Sequence, residues 1–270
     1  MNLKFKSVIK TSLLGLIISA LLFSFTSRKK EFVPPGTVKY NDTLFIDEAE
    51  ISNFSWKEYE FWIKNKYGKN SPEHKAAVPD TLVWLEKYSY NEPYTCVYYW
   101  HLAYRDFPVV GISYEQVVEF CKWRTERVSV FMAISGKYKG LSIEYRLPTK
   151  YEWELLSFDA RNVFENDGWD EKGKHQINTC YMKDLSKEKK QLNKSIQDVT
   201  APVYSYPKST LGLFNMIGNV SEMVLEKGIS KGGGWVHQLN DCRVGKNIEY
   251  TKREAWLGFR CVCVVKRNKI

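Results

Sequence analysis

Residues 107–128, FPVVGISYEQVVEFCKWRTERV, constrain the fold more than any other part of the chain. The segment begins with a short apolar run that is typical of a strand, and Gly111 then marks a turn. Ser113 and Gln116 follow at the spacing of a capping box, in which a serine hydroxyl and a glutamine side chain bond the first turn of a helix. Apolar residues recur after this box at helical spacing. The segment therefore predicts a strand followed directly by a helix.

Two more helices are predicted from the same signal. Ser55 and Glu58 have the spacing of a capping box, and Gly68 is a suitable end for the helix that follows them. Thr149 and Glu152 repeat this spacing ahead of a second apolar pattern. Each box satisfies backbone N–H groups that a helix leaves without partners at its start.

Strands are predicted at two further places, and the remaining segments are expected to be irregular. Residues 44–46 are strand-like, and residues 257–265 alternate with their apolar side chains on one face. Prolines recur between residues 70 and 107, so we expect loops and one strand there. Residues 158–198 are polar, rich in lysine and without a period, which predicts a surface excursion with a polar insertion at 183–198.

Composition favours a loop-rich domain with a packed core. The chain has 270 residues, of which 44% are hydrophobic, and it contains 9 tryptophans and 17 tyrosines. Large rings suit short strands and loops held together by aromatic packing better than they suit a helical bundle. Since no internal repeat or interdomain linker is visible after the N-terminal segment, we expect an α+β fold.

The charge distribution gives little support to a nucleic-acid partner. The formal net charge is +9 at pH 7, and Lys4, Lys6 and Lys10 of the N-terminal segment contribute part of it. Elsewhere lysines and arginines are scattered among acidic residues and form no stripe or motif, which is typical of a solvated surface. We expect no nucleic-acid binding.

Residues 1–27 predict export. A basic start followed by an apolar run from Leu13 to Phe25 is the pattern of a secretory signal peptide or signal anchor. Ser24, Thr26 and Ser27 are small enough for a cleavage site, and no cysteine ends the run to carry a lipid anchor. We expect a periplasmic, outer-envelope or extracellular protein that contacts the membrane only through this segment, if it stays uncleaved.

Export would place the cysteines in an oxidising compartment, where disulfides form and persist. Six cysteines allow fifteen complete pairings, and the sequence alone does not choose among them. The residues concerned are Cys96, Cys121, Cys180, Cys242, Cys261 and Cys263.

Five segments in a fixed order resemble the formylglycine-generating enzyme (sulfatase-modifying factor) family. The resemblance implies a loop-rich α+β domain, related to the C-type lectin fold, over residues 32–266. The chain is a divergent member, because Met223 stands where the family prefers tryptophan. The segments are FIDEAEISN, PVVGISYEQVVEFCKWR, YRLPTKYEWELLS, TAPVYSYPKSTLGLFNMIGNVSEMV and KGGGWVHQLNDCRVG, closing with LGFRCV.

The segment NMIGNVSE, residues 215–222, carries oxygen donors of the kind that Ca²⁺ prefers. The resemblance implies a structural calcium ion held by the side chains of Asn215 and Glu222 and by the backbone carbonyls of Gly218 and Val220. The alternative is an ordinary Gly-Asn turn in which the glutamate makes hydrogen bonds.

The segment KGGGWVHQLNDC bears on whether the protein is an enzyme. In active members of the family, two cysteines five residues apart bind Cu(I) and, with O₂, oxidise a substrate cysteine to formylglycine. Matching this segment to the family places His237 at the first position and Cys242 at the second. An imidazole in place of a thiolate changes the charge, geometry and redox potential of a copper site, so copper is not expected. Without copper, Cys242 is a disulfide partner or a buried small residue, and His237 is a surface or hydrogen-bonded histidine.

The resemblance also bears on disulfides and on iron. Cys121 and Cys261 occupy positions that are bridged in the family's better-known enzyme, whereas Ser157 stands at one end of its second bridge. A branch of the family makes sulfoxides with non-haem iron held by a histidine-rich motif. No such motif is present, because the histidines are remote from one another in sequence: His74, His101, His175 and His237.

The favoured interpretation is an exported binding or structural module of the bacterial cell envelope that lacks the family's copper chemistry. Related members occur in gliding-motility machinery, and protein or glycan partners are expected at the Trp- and Tyr-rich loops. The alternative is a metal-dependent oxidoreductase that oxidises a cysteine or thiol substrate with O₂ at Cys242 and His237. The enzyme needs Cys242 as an accessible thiol of low pKa, whereas a scaffold would bury or oxidise it.

Overall fold

A computed structural model describes residues 32–85, 91–158, 168, 171–172, 176–180 and 199–267. The predicted leader and the polar insertion at 183–198 lie outside the described residues. The α-helices are α1 (Asn53–Tyr67), α2 (Pro72–Ala77), α3 (Tyr94–Val97), α4 (Tyr114–Ser135) and α5 (Lys150–Leu156). The strands are β1 (Thr37–Lys39), β2 (Leu44–Asp47), β3 (Leu141–Arg146), β4 (Ser221–Met223), β5 (Ile229–Lys231), β6 (Ile248–Glu249), β7 (Leu257–Gly258) and β8 (Val262–Arg267).

The larger sheet has four antiparallel strands in the order β1-β2-β8-β3. At its centre Phe45 of β2 lies opposite Cys263 of β8 in the register. All four residues of β2 are buried, as expected of a central strand that is covered on both faces. The strand predicted at residues 44–46 is thus confirmed, and it lies in the core.

Helix α4 packs against this sheet and begins at the predicted capping box. The Gln116 N–H donates to the Ser113 hydroxyl, and the Ser113 N–H donates to the Gln116 side chain. Arg124 of α4 donates two hydrogen bonds to Asp47 of β2, at 2.7 and 2.8 Å. The Thr125 hydroxyl accepts from the backbone N–H of residue 145 in β3 at 2.8 Å. These contacts fix α4 along the sheet.

Helix α1 begins three residues earlier than the sequence predicts. Its capping residue is Ser52, whose side chain accepts from the Ser55 N–H, while Gly68 ends the helix as expected. The Trp56 N–H donates to the Ser52 carbonyl at 3.0 Å, which closes the first turn of the helix at this earlier start. The Trp56 ring stacks on Phe120 of α4, with centroids 5.3 Å apart and planes 5° from parallel.

Helix α5 begins at the predicted Thr149–Glu152 capping box. Arg146, the last residue of β3, also donates two hydrogen bonds of 2.7 Å to Glu152. The carboxylate therefore holds the start of α5 against the end of β3. This arrangement orients α5 so that Trp153, which is fully buried, reaches the second sheet.

The second sheet has the order β6-β5-β4-β7, in which β4 and β7 are parallel. The sequence predicted one strand over residues 257–265, but this segment contributes to both sheets. Leu257 and Gly258 pair with β4, and β8 pairs with β2 and β3. Alternation continues through the crossover because Leu257, Phe259, Cys261 and Cys263 are all buried, so the pattern alone could not show the break. Arg260 lies at this crossover, between the two sheets.

The segment from 70 to 107 was predicted to hold loops and one strand. Its described part contains no strand, so the predicted strand is wrong there. It forms α2, α3 and two short 3₁₀ turns, Thr81–Trp84 and Leu102–Tyr104. The strand predicted after residue 107 is reduced to one bridge between Ser52 and Pro108. Aromatic packing, such as Trp84 against Tyr98 at 4.6 Å between ring centroids, holds this region together.

Candidate functional site

The glycine run at 232–234 brings the backbone close to Cys242. Gly232 and Gly233 have φ angles of +82° and +65°, which residues with a side chain rarely adopt. Cys242 ends a 3₁₀ turn, Leu239–Cys242, and its side chain is fully buried behind the run. A Cβ at position 233 would lie only 3.0 Å from the Cys242 Cβ. This close approach explains Gly233, whereas a Cβ at Gly232 would lie 2.6 Å from the Met216 carbonyl oxygen and one at Gly234 would lie 3.0 Å from that of Trp256.

The Cys242 thiol is buried and protonated. Its Sγ donates a hydrogen bond to the Gln238 carbonyl at 3.2 Å. Burial raises its pKa to about 12, and the nearby Asp241 carboxylate adds to this rise. A thiol in this state is a poor nucleophile and a poor ligand for a soft metal ion, because both roles need the thiolate.

His237 lies on the same loop and is held through backbone groups. Its Nδ1 accepts a hydrogen bond from the Gly234 N–H at 3.0 Å, and its ring packs edge-on against Trp256 with centroids 4.7 Å apart. Burial lowers the pKa of the imidazole, so the neutral form is favoured. Because Nδ1 accepts, the neutral ring carries its proton on Nε2. The structure therefore brings both predicted residues into one loop and engages each of them with the backbone.

Glu222, one of the predicted calcium ligands, belongs to a buried ion pair. Glu222 and Arg260 are both almost completely buried, and both carboxylate oxygens of Glu222 accept from the guanidinium. The Trp153 indole N–H also donates to this carboxylate, at 2.7 Å. Leaving one member of such a pair alone in a protein interior costs roughly 3–5 kcal/mol. The pair therefore ties β4, α5 and the crossover between the sheets into one unit.

The Glu222 carboxylate, as it is arranged, is not free to bind a calcium ion. Glu222 is saturated by donors, and a guanidinium beside it would repel a cation. Asn215 donates through Nδ2 to Glu50 and to the Val203 carbonyl, both at 3.0 Å. Its Oδ1 is buried and lacks a hydrogen-bond partner among the described residues. The calcium site remains a prediction of the resemblance.

Two important residues of this cluster were missed by the sequence reasoning. Glu50 is buried, and its two oxygens accept from the side-chain amides of Asn215 and Asn219. Arg260 provides the only guanidinium that the described structure places on Glu222. Both residues lie in segments that carry the family resemblance, EAEIS and LGFRC, so a search for charged residues inside apolar motif segments could have found them.

The cysteines predicted to form a disulfide lie next to each other. Cys121 of α4 and Cys261 are buried, and their sulfur atoms are 3.6 Å apart, so the structure holds them as adjacent thiols. Ser157, at the position of the family's second bridge, is buried and donates to the Glu154 carbonyl. The disulfide remains a prediction.

No group of three or more His, Cys, Asp or Glu side chains within the described residues is placed to hold a metal ion. Within the same part of the chain, no helix is long and apolar enough to cross a membrane. His175, one of the four histidines considered above, lies outside the described residues.

The sequence matches the profile of the family described as sulfatase-modifying factor enzyme 1-like domain over residues 16–265. The match covers most of the chain and includes all five segments that carry the resemblance. The protein therefore belongs to this family, as the sequence predicts, and its α+β architecture agrees with the formylglycine-generating enzyme-like fold. Comparison with curated protein sequences gives no significant match.

Several solved structures are similar to the chain at low sequence identity. PvdO from Pseudomonas aeruginosa is 20% identical over 59% of this chain and 62% of its own, less than two thirds of its length, with a TM-score of 0.40. CarF is 16% identical over 87% of this chain and 96% of its own, with a TM-score of 0.49. Treponema denticola variable protein 1 is 14% identical over 86% and 92%, with a TM-score of 0.45. Family membership rests on the sequence profile rather than on these likenesses.

Proposed function

We propose that this protein is a non-catalytic binding module of the bacterial cell envelope, built on the formylglycine-generating enzyme-like fold. The observation that carries the proposal is the state of Cys242, whose thiol is buried, protonated and bonded to a backbone carbonyl. An oxidoreductase of this family would need that sulfur as an accessible thiolate. The predicted leader over residues 1–27 supports export, and the envelope location is part of the proposal.

The competing oxidoreductase would require His237 and Cys242 to bind a metal together. His237 would have to release the Gly234 N–H from Nδ1 or lose the proton from Nε2 before it could coordinate. Cys242 would have to lose a proton from a site where burial opposes the charge. The first change would break a hydrogen bond or remove a proton from a neutral imidazole, and the second would place a negative charge in a buried site. The non-catalytic module is therefore the better supported function.

An exposed aromatic surface supports the binding role. Phe54 and Phe61 on α1 are 44% and 61% exposed, and Trp100 and Leu102 on the neighbouring segment are 51% and 75% exposed. Arg105 lies over the Phe54 ring at 4.5 Å, so α1 and this segment form one continuous surface. Large apolar groups clustered on a surface beside cations are typical of interaction sites. A protein or glycan partner is therefore part of the proposal.

Copper binding tests the proposal directly. The full chain without tags is titrated with Cu(I) in competition with a chelator, and the Cys242→Ser variant is titrated in parallel. We expect no tight stoichiometric binding by either protein, because Cys242 is unavailable as a thiolate. Tight binding by the wild type that disappears in the variant would overturn the non-catalytic function and call for peptide-oxidation assays.

Thiol labelling provides the matched control for this titration. Cys96 is exposed, whereas Cys242 is buried. A maleimide reagent should therefore label Cys96 within minutes in the folded protein and leave Cys242 unlabelled until denaturant is added. Rapid labelling of Cys242 in the native Cys96→Ser variant would show an accessible thiol and would favour the oxidoreductase.

A further inference from the structure

The last turns of helices α1 and α4 lie toward the same end of the domain. Tyr59 of α1 packs against Trp123 of α4 with ring centroids 5.4 Å apart, and further along the Arg127 guanidinium lies 5.1 Å from the centroid of the Trp62 ring. Because residue numbers increase together along these contacts, the two helices run in the same direction. Their C-terminal ends therefore contribute to one surface.

This surface exposes large apolar side chains. Phe131 follows Arg127 by four residues and Ile134 follows Phe131 by three, so these side chains share one face of α4. Phe131 is 55% exposed and Ile134 is 82% exposed, and Tyr67 at the end of α1 is 46% exposed. We call the following residues the terminal patch: Trp62, Lys66, Tyr67, Arg127, Phe131 and Ile134.

The surroundings of the terminal patch carry more cations than carboxylates. Residues 61–69 and 127–140 contain no Asp or Glu, and they contain six cations: Lys64, Lys66, Lys69, Arg127, Lys137 and Lys139. The nearest acidic residues along the two helices are Glu58, Glu60 and Glu126, and Glu60 is already held by His74. Counting all three carboxylates against the six cations still leaves three positive charges. Each helix C-terminus adds only about half a negative charge, so the surface stays positive.

Exposed apolar side chains interleaved with cations are typical of the surface that a peripheral protein presents to a membrane. Tryptophan and tyrosine favour the level of the lipid headgroups, and lysine and arginine are attracted to anionic lipids while their aliphatic stems cover apolar groups. Lys66 shows this arrangement, because its Nζ lies 5.1 Å from the ring centroids of both Trp62 and Tyr67. The terminal patch therefore has the chemistry of an interface with anionic lipid.

The described chain also begins beside helix α4. The Pro35 carbonyl accepts a hydrogen bond from Arg124 at 3.0 Å, and Phe131 lies seven residues later on the same helix, about 10 Å further along its axis. Ten residues separate Pro35 from Phe25, where the predicted apolar run ends, and a chain of this length spans at most about 35 Å. A leader that stays in the bilayer would therefore keep the terminal patch close to it.

We propose that the terminal patch contacts the surface of an anionic lipid bilayer, with Tyr67, Phe131 and Ile134 at the level of the headgroups and the surrounding lysines beside lipid phosphates. The sequence predicts membrane contact through residues 1–27 alone, and the patch adds a second contact within the folded domain. This inference goes beyond the binding function proposed above, because the terminal patch contains none of the residues of that aromatic surface.

Vesicle flotation tests this contact. Residues 33–270 form a compact unit of their own, so the chain from residue 31 onward keeps the folded domain and lacks both the leader and the basic residues 28–30. We expect it to partition into vesicles of phosphatidylglycerol and phosphatidylcholine in equal parts at least about tenfold more strongly than into phosphatidylcholine alone, and to dissociate as salt is raised. Equal partitioning into both vesicles, or none into either, would overturn the proposal.

A pair of apolar substitutions locates the contact without changing the charge. Phe131→Gln with Ile134→Gln should weaken partitioning into the anionic vesicles at least about tenfold and leave the melting temperature unchanged, because both side chains are exposed. The matched control is Leu82→Gln with Leu85→Gln. These leucines are also exposed, and they lie near the other end of α4, where the Asp80 N–H donates to the Gly111 carbonyl. An equal loss in the control would overturn the terminal patch as the site.

A second pair of substitutions tests the charges. Lys137→Gln with Lys139→Gln should weaken partitioning at least about tenfold and reduce its dependence on salt, whereas the control Lys246→Gln with Lys252→Gln, also exposed, should not. If the charge pair weakened partitioning and the apolar pair did not, attraction would be purely electrostatic and an acidic protein would replace lipid as the partner. None of these substitutions touches Cys96 or Cys242, so the result is independent of the copper and labelling tests.

Discussion

The buried carboxyl group of Glu50 shows how one residue couples the core to pH. Its two oxygens accept from Asn219 at 2.9 Å and from Asn215 at 3.0 Å. Burial raises the pKa of Glu50 from 4.5 to about 8; Arg260 opposes this rise, and the Glu222 carboxylate adds to it. The native protein therefore holds a proton on Glu50 near neutral pH that the unfolded chain would release.

This difference in pKa predicts a loss of stability as pH rises. Below about pH 4.5 the group is protonated in both states and its contribution is fully present; between 4.5 and about 8 only the native state holds the proton. The free energy of unfolding should therefore fall toward pH 8, with a slope approaching about 1.4 kcal/mol per pH unit from this group. Urea unfolding of wild type and Glu50→Gln over this range measures it.

The difference between the two proteins isolates the titration of Glu50 from that of other groups. Glu50→Gln should show a smaller decline than the wild type across the same pH window. Parallel curves for the two proteins would mean that Glu50 is ionised in the native state, stabilised by Arg260 and the two asparagine amides.

At the residue scale, the sequence predicted which residues matter for function better than it predicted the surroundings of those residues. Cys242 and His237 were identified as the residues on which catalysis would depend, but burial and backbone hydrogen bonds decide their chemical state. Glu222 was predicted as a calcium ligand because a motif shows oxygen donors. Its partner Arg260 is 38 residues further along the chain, and only the fold brings them together.

At the element scale, local signals predicted the helices with caps, and long-range packing determined the rest. The boxes at Ser113 and Thr149 predicted α4 and α5 because their hydrogen bonds are local. In the segment 70–107 Ser71 and Asp80 cap only a six-residue helix and a 3₁₀ turn, and aromatic contacts with distant residues, such as Trp84 with Trp235 at 6.0 Å between centroids, complete the packing. Periodicity could not show this, because these helices are too short to display it.

The glycine loop gives a prediction at this scale. Gly233→Ala should lower the free energy of unfolding by about 2 kcal/mol or more, because the backbone has a positive φ and the new methyl group would collide with Cys242. Chemical denaturation measures the change. Gly245→Ala is the matched control on the same loop, since nothing lies within 4 Å of its added methyl group and an effect within about 0.5 kcal/mol is expected. Equal effects at both positions would show that the close approach at Gly233 is unimportant.

At the scale of the whole molecule, the two sheets are joined through the segment from β7 to β8. This segment carries Arg260, which binds Glu222 of the second sheet, and Cys261, which lies against α4 beside the first. A covalent link at Cys261 would therefore fasten the crossover to the longest described helix. The family resemblance predicts such a link to Cys121, and the predicted export would supply the oxidising conditions it needs.

Oxidation of Cys121 and Cys261 should stabilise the whole domain. Their sulfur atoms are 3.6 Å apart and the residues are 140 positions apart, so the bond would close a long loop in the unfolded chain. In the chain-entropy model this is worth on the order of 4 kcal/mol, and a gain of about 2–4 kcal/mol is expected once native strain is included.

Protein refolded in a glutathione redox buffer should yield a peptide linking the two cysteines by mass spectrometry and should unfold at higher denaturant concentration than the reduced form. Cys263→Ser keeps both partners and should retain this gain, whereas Cys121→Ser should lose it. If oxidation stabilised Cys121→Ser as much as the wild type, another pair of the six cysteines would be responsible, and the crossover would be held by packing and the Arg260–Glu222 pair alone.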